Sequence, residues 1–162
     1  MLEKKETYAL LDKYHFIYEA YEHSAVYTIE ELDALNIPHK EQIVKNLFLR
    51  DDKKKNYYLV TVPNHKIVNL KSLSERIHSR KLSFASEEKL RDLLMLEKGH
   101  VTPIGVLNNL QINVIVIFDK SLRGQQIGIH PMENTATVFL ALEDVMNLIE
   151  DHGNAVVMCD FD

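Results

Sequence analysis

Two β-forming runs, Ile43 to Arg50 and Tyr57 to Val62, flank the polar stretch Asp51–Asn56. Apolar, β-branched and aromatic residues bounded by a short polar segment predict a hairpin. A sheet begun this way must bury its apolar faces under further strands or helices. Side chains alternate along a strand, so Ile43, Lys45, Leu47 and Leu49 share one face of the first run. Val44, Asn46, Phe48 and Arg50 take the other. A lysine among three aliphatics either reaches water along its stem or directs its charge into a pocket.

The segments around the hairpin mix helix and strand signals. Residues 3–14 read as an amphipathic helix, and Phe16 to Tyr21 as a short strand. Thr28 and Glu31 form a capping box that opens a short helix through about Leu35. Asn69 caps a helix through Ile77, and Ser86 caps another from Glu87 to about Leu96 that stops at Gly99. Beyond a loop at Thr102–Asn109, strands are expected near Ile112–Phe118, Gln126–His130 and Thr135–Leu140. A helical stripe of Leu142, Val145, Leu148 and Ile149 follows, ending before Gly153, and Ala155 to Cys159 makes a last strand. Hairpins outnumber β-α-β units, which predicts a mixed α/β (α+β) fold. Its curved, largely antiparallel mixed sheet is surrounded by helices, in a single domain over residues 1–162.

Several kinds of chemistry are excluded by missing motifs. Neither a dinucleotide-binding glycine fingerprint nor a P-loop occurs, and no G-x-S-x-G elbow announces a serine nucleophile. The eight histidines are dispersed and the one cysteine, Cys159, cannot form an internal disulfide, so neither metal nor cofactor is expected. The N-terminus lacks a signal-type apolar core. The longest apolar run, Val114 to Phe118, falls far short of the ~20 residues a bilayer needs. We therefore expect a soluble protein of the cytoplasm with no membrane association.

Charge is unevenly spread. Ten Lys or Arg against three acids between Lys45 and Lys81 leave the rest of the chain at −12, within a total of −5. That asymmetry suggests a basic face for a phosphate backbone, or else a solvated hairpin tip with scattered surface charge.

Two further segments could supply a site. In Thr102 to Asn109, Gly105 lets the backbone approach a ligand and present its N–H, although Pro103 and Gly105 also fit plain turn chemistry. In His130 to Thr137, a histidine ends a strand and polar residues follow, gathering hydrogen-bonding groups at one sheet edge.

Taken together, EHSAVYT at 22–28, VKNLFLR at 44–50, TPIGVLN at 102–108 and HPMENTAT at 130–137 resemble the ordered motifs of the prolyl-tRNA editing family. Its members are free-standing deacylases similar to the editing domain inserted in many bacterial prolyl-tRNA synthetases. The wording around Val26-Tyr27-Thr28 and Lys45 to Leu49 is nearer the alanine-clearing branch than the cysteine-clearing one. The resemblance implies a mixed α/β fold and hydrolysis of an aminoacyl ester on the acceptor end of tRNA(Pro), without a covalent enzyme intermediate. It makes Lys45 the functionally essential lysine and Gly105 part of the loop that positions the ester or the attacking water. Asn46, Tyr27, Thr102, His130 and Asn134 match substrate-binding positions. Prolyl-tRNA synthetase is a further candidate partner, and oligomeric state is left open. Asn69 and Asn109 stand where the family pattern expects aspartate, which bears on fine substrate preference. Competing readings are a non-catalytic tRNA-binding or synthetase-accessory relative, a Cys-tRNA(Pro) deacylase, and a hydrolase of free esters.

Overall fold

The computed structural model describes residues 1–161. Helix α1 (Lys4–Lys13) buries Thr7 and Leu11 and ends at His15, which takes a left-handed φ of 59°. Strand β1 (Tyr18–Glu22) follows. Helix α2 (Ile29–Asp33) opens on the expected capping box: Glu31 N–H donates to Thr28 Oγ1 at 3.1 Å. The hairpin strands are β2 (Val44–Asp51) and β3 (Tyr57–Pro63). Their tip is organised by the buried Asp51 carboxylate, which accepts from Lys55 N–H at 2.9 Å and Asn56 Nδ2 at 2.7 Å. Burial alone would raise the Asp51 pKa, but these donors outweigh it and hold the carboxyl below its ordinary value.

Helix α3 (Leu70–Arg76) is capped by Asn69 and α4 (Glu87–Leu94) by Ser86, both through side-chain oxygens. Between them lies a three-residue strand, β4 (Leu82–Phe84), that the sequence reading did not anticipate. Helix α4 stops two residues early because Met95 adopts a left-handed cap at φ 56° and donates its N–H to Arg91 O. The loop expected after Thr102 is a 3-10 stretch over Pro103–Asn108. Strands β5 (Val114–Asp119), β6 (Gln126–Ile129) and β7 (Ala136–Ala141) lead into helix α5 (Leu142–His152). Gly153, at φ 110°, ends α5, and β8 (Val156–Cys159) closes the chain's regular structure.

The mixed, largely antiparallel pairing is present, divided between two sheets. One has the order β4-β2-β3-β5-β8, the other β1-β7-β6. Parallel pairing is confined to β3 with β5 and β5 with β8. A lone parallel bridge between Ile43 and Gly128 joins the sheets. Gly128 makes that approach possible. A Cβ there would lie 2.7 Å from Phe139 Cε1 and 3.0 Å from Ile43 Cγ1, inside van der Waals contact on two sides.

The five-stranded sheet is buried on both faces. Leu59 of β3 and Val116 and Phe118 of β5 face a core closed by α5 through Leu142, Val145, Leu148 and Ile149. Tyr58, Val60 and Val62 face a second core built with Leu73 of α3 and Leu82 of β4. A third, smaller cluster of Leu32, Ile43 and Phe139 packs α2 against the sheet junction. No helix among the described residues is long and apolar enough to cross a membrane.

Because Gly128 is closed in by two buried side chains, Gly128→Ala is expected to destabilise the fold by about 1–3 kcal/mol through overpacking. Urea unfolding should show a lower midpoint with an unchanged slope.

Candidate active site

Where β2 leaves the sheet junction, a cavity of about 290 Å³ opens, and four of the seven expected residues line it: Tyr27, Lys45, Asn46 and His130. Strand alternation sends Lys45 and Asn46 to opposite faces, so the cavity wraps the end of β2. Aliphatic walls come from Leu32, Ile43, Val44 and Val101. Among the described residues, no aspartate or glutamate lines it. Lys45 is partly buried and makes no hydrogen bond or ion pair among the described residues, which leaves its ammonium available to a ligand.

Asn46 is fixed from two sides. Its Oδ1 accepts from Thr61 Oγ1 at 2.6 Å, and its Nδ2 donates to Val101 O at 3.3 Å. This ties the hairpin to the loop 99–102. Asn134, fully buried, lies outside the lining and donates from Nδ2 to Val26 O at 3.1 Å, bracing the rim next to Tyr27. His130 Nδ1 lies 3.2 Å from Ala136 O. A carbonyl can only accept, so the proton is on Nδ1, and in the neutral ring Nε2 keeps its lone pair. Burial lowers the His130 pKa below its ordinary 6.5. The hydrogen bond to Ala136 O opposes that shift, while His23 and His100 add to it. The imidazole is therefore neutral at physiological pH.

Thr102 and Gly105 are not on the cavity wall. Both are fully buried, and Gly105 N–H is committed to Thr102 O at 2.9 Å. A Cβ on Gly105 would meet Leu96 Cδ1 at 2.6 Å, so a side chain there would force the buried Leu96 to shift. The Thr102 hydroxyl has no hydrogen-bond partner among the described residues. Asn69 is the α3 cap, and Asn109 is a buried structural hub. Asn109 donates to Leu93 O and Asn113 Oδ1 while accepting from Val114 N–H, a set of bonds that a carboxylate could not make.

Neither Asn64 nor Gly99, which also line the cavity, was singled out from sequence. Asn64 belongs to the turn after β3, where Lys66 N–H bonds Pro63 O. Gly99 has φ 85° and lies against Tyr27. The basic stretch does not form one patch. Lys45 sits at the β2 start, while Lys53 to Lys55 crown the far end of the hairpin, and Arg80 there is paired with Asp52. A larger groove of about 490 Å³, on the α3 side of the sheet beside Ile117 and Cys159, contains none of the expected residues. Volume alone would favour it; the gathering of Lys45, Asn46 and His130 favours the smaller cavity.

Residues 23–148 match the family model of the aminoacyl-tRNA editing domain. The prolyl-tRNA editing protein ProX of Acetoanaerobium sticklandii is 45% identical over 152 residues, spanning 93% of each chain. The prolyl-tRNA synthetase associated domain-containing protein 1 of Mus musculus is 34% identical, over 89% of this chain and 88% of the relative. A solved structure of a candidate trans-editing enzyme for prolyl-tRNA synthetase matches with a TM-score of 0.70 at 20% identity. That match covers 97% of this chain and 96% of the other, and it is a likeness of fold. Fold and relatives define an enzyme of the aminoacyl-tRNA deacylase class. The chain belongs to the aminoacyl-tRNA editing domain family, and the matched range includes every residue named as lining the cavity.

The lowered His130 pKa has a defined sign. The unfolded chain binds this proton more readily, so the group costs no stability well above 6.5. The fold loses stability as pH falls through 6.5 toward the lower folded value. Urea midpoints measured from about pH 7.5 to 5.5 should fall less steeply in His130→Gln than in wild type.

Proposed function

We propose that the protein acts in trans on mischarged tRNA(Pro), with alanine as the main amino acid removed. The carrying observation is the convergence of Lys45, Asn46 and His130 on one small cavity with aliphatic walls. Its 45% identity to a prolyl-tRNA editing protein supports the choice of tRNA.

An aminoacyl ester is already activated, so a positioned water and a stabilised oxyanion suffice for hydrolysis. Lys45, the only lysine or arginine on the cavity wall, holds the polar 3′ end and its developing negative charge. Asn46, clamped by Thr61 and Val101, presents its remaining amide hydrogen in a fixed direction. Neutral His130 offers Nε2 as an acceptor for a substrate N–H or O–H. Thr102 and Gly105 contribute by shaping the loop that carries Val101, and Asn134 by bracing the Val26–Tyr27 rim. A synthetase site made for proline cannot strongly reject a smaller amino acid, because each missing methylene is worth only about 1–3 kcal/mol. A second pocket with aliphatic walls that admits alanine and refuses proline corrects that error. The tRNA(Pro) acceptor end is then the partner, with prolyl-tRNA synthetase as the source of the substrate.

Release of labelled amino acid from Ala-, Cys- and Pro-tRNA(Pro) tests this directly. Alanine should be released fastest and proline spared, and Lys45→Ala should lower kcat/KM by about a hundredfold or more. Preferential loss of cysteine would reassign the substrate. Full activity of Lys45→Ala would remove Lys45 from the mechanism, and tRNA binding without hydrolysis would mark a non-catalytic relative.

A further inference from the structure

Tyr27 stands at the mouth of the cavity with 64% of its surface exposed, unusual for a large aromatic that is also held in place. Two constraints hold it. The carbonyl of Val26, just before it, is pinned by the buried Asn134 amide at 3.1 Å. Its ring edge lies against Gly99, where a Cβ would sit 2.9 Å from Cδ1 and 3.0 Å from Cε1. Gly99 is also at φ 85°, a conformation that side-chain-bearing residues rarely adopt. Its lack of a side chain therefore makes the seat for the ring. The Tyr27 hydroxyl makes no hydrogen bond among the described residues, so no polar partner accounts for the ring's position. Ile29, half exposed, extends the same apolar rim.

A pre-positioned, exposed aromatic face beside a cavity with a free lysine matches a nucleotide whose base stacks outside while its sugar and ester enter. The geometry points to Tyr27, seated on Gly99, as the stacking platform for the base of the substrate's 3′-terminal nucleotide. This rests on the deacylase reading above and adds to it the part of the substrate that Tyr27 meets. A stacked base needs no hydrogen-bond readout, and one aromatic platform contributes enough to change affinity by about ten- to a hundredfold. Tyr27 is a binding residue on this view: it holds the ester in register and leaves the chemical step to the cavity.

The test compares wild type, Tyr27→Leu and Tyr27→Phe on an alanyl minihelix with its normal 3′ adenosine, and on one whose terminal nucleotide lacks the base. Tyr27→Leu should raise KM about tenfold or more on the normal minihelix with kcat changed less than about twofold. Tyr27→Phe should behave as wild type, and on the abasic minihelix the three proteins should be equal. Unchanged KM in Tyr27→Leu, or an equal penalty on the abasic minihelix, would overturn the assignment. Binding of a CCA trinucleotide and its abasic analogue, followed by NMR, reads the same contact without catalysis. If wild type hydrolysed no ester, the deacylase reading would fail. The stack would still stand or fall on whether Tyr27→Leu weakens binding of CCA but not of its abasic analogue.

Discussion

Strand β3 is covered on both faces, and that burial governs what surrounds it. Leu59, Val60 and Val62 are fully excluded from water, the first facing one core and the two valines the other. A strand in that position needs a hydrogen-bonded neighbour on each edge and an apolar layer above and below. The neighbours are β2 and β5; the layers are α5 on one side and α3 on the other. The polar residue in this strand, Thr61, is fully buried as well, and its hydroxyl must find an acceptor. It finds Asn46 Oδ1, which orients the amide that reaches Val101 and so fixes one side of the cavity. The site is thus an outgrowth of the core's own need for hydrogen-bond satisfaction.

The cavity has an electrostatic character of its own. Among the described residues its wall has one lysine, a histidine kept neutral by burial, amides, and no carboxylate. The acids of this net-negative chain lie elsewhere: Glu22 and Glu133 pair with Lys4, and Asp52 with Arg80. An anionic end group therefore meets a local surplus of positive charge on a molecule that otherwise repels it, an arrangement that favours one docking position over diffuse attachment.

Much of the framework was legible in the sequence because its signals are local. The hairpin, the caps at Thr28, Asn69 and Ser86, and the glycine stop of α5 each depend on residues within one turn of each other. Long-range pairing was not legible. Strand β4 has three residues and gains its identity only by pairing Leu82 to Phe84 with the end of β2. The split into two sheets turns on a contact between Ile43 and Gly128, far apart in sequence. For the site, motif resemblance located Lys45, Asn46, Tyr27 and His130 on the cavity. It could not separate them from Thr102, Gly105 and Asn134, which stand close in sequence to cavity residues or brace its rim but sit one layer in. Asn64 carried no signal because a turn asparagine after a proline is commonplace. Of the two readings of the basic stretch, the solvated hairpin tip with scattered charge is the one found, because a hairpin spreads neighbouring residues over its full length.

The order in which strands pair bears on how the protein is made. Strand β1 near the start of the chain pairs only with β7, Tyr18 opposite Leu140, and β5 gains its second neighbour from β8, Val116 opposite Val156. During synthesis the early strand must wait, unpaired, for most of the polypeptide to emerge. Only the β2–β3 and β6–β7 hairpins and the helices can form as they appear, since their contacts are local. The domain thus closes late and nearly all at once. Its exposed intermediates, with β1 and the β5 edge open, are the states that a crowded cell has to shield.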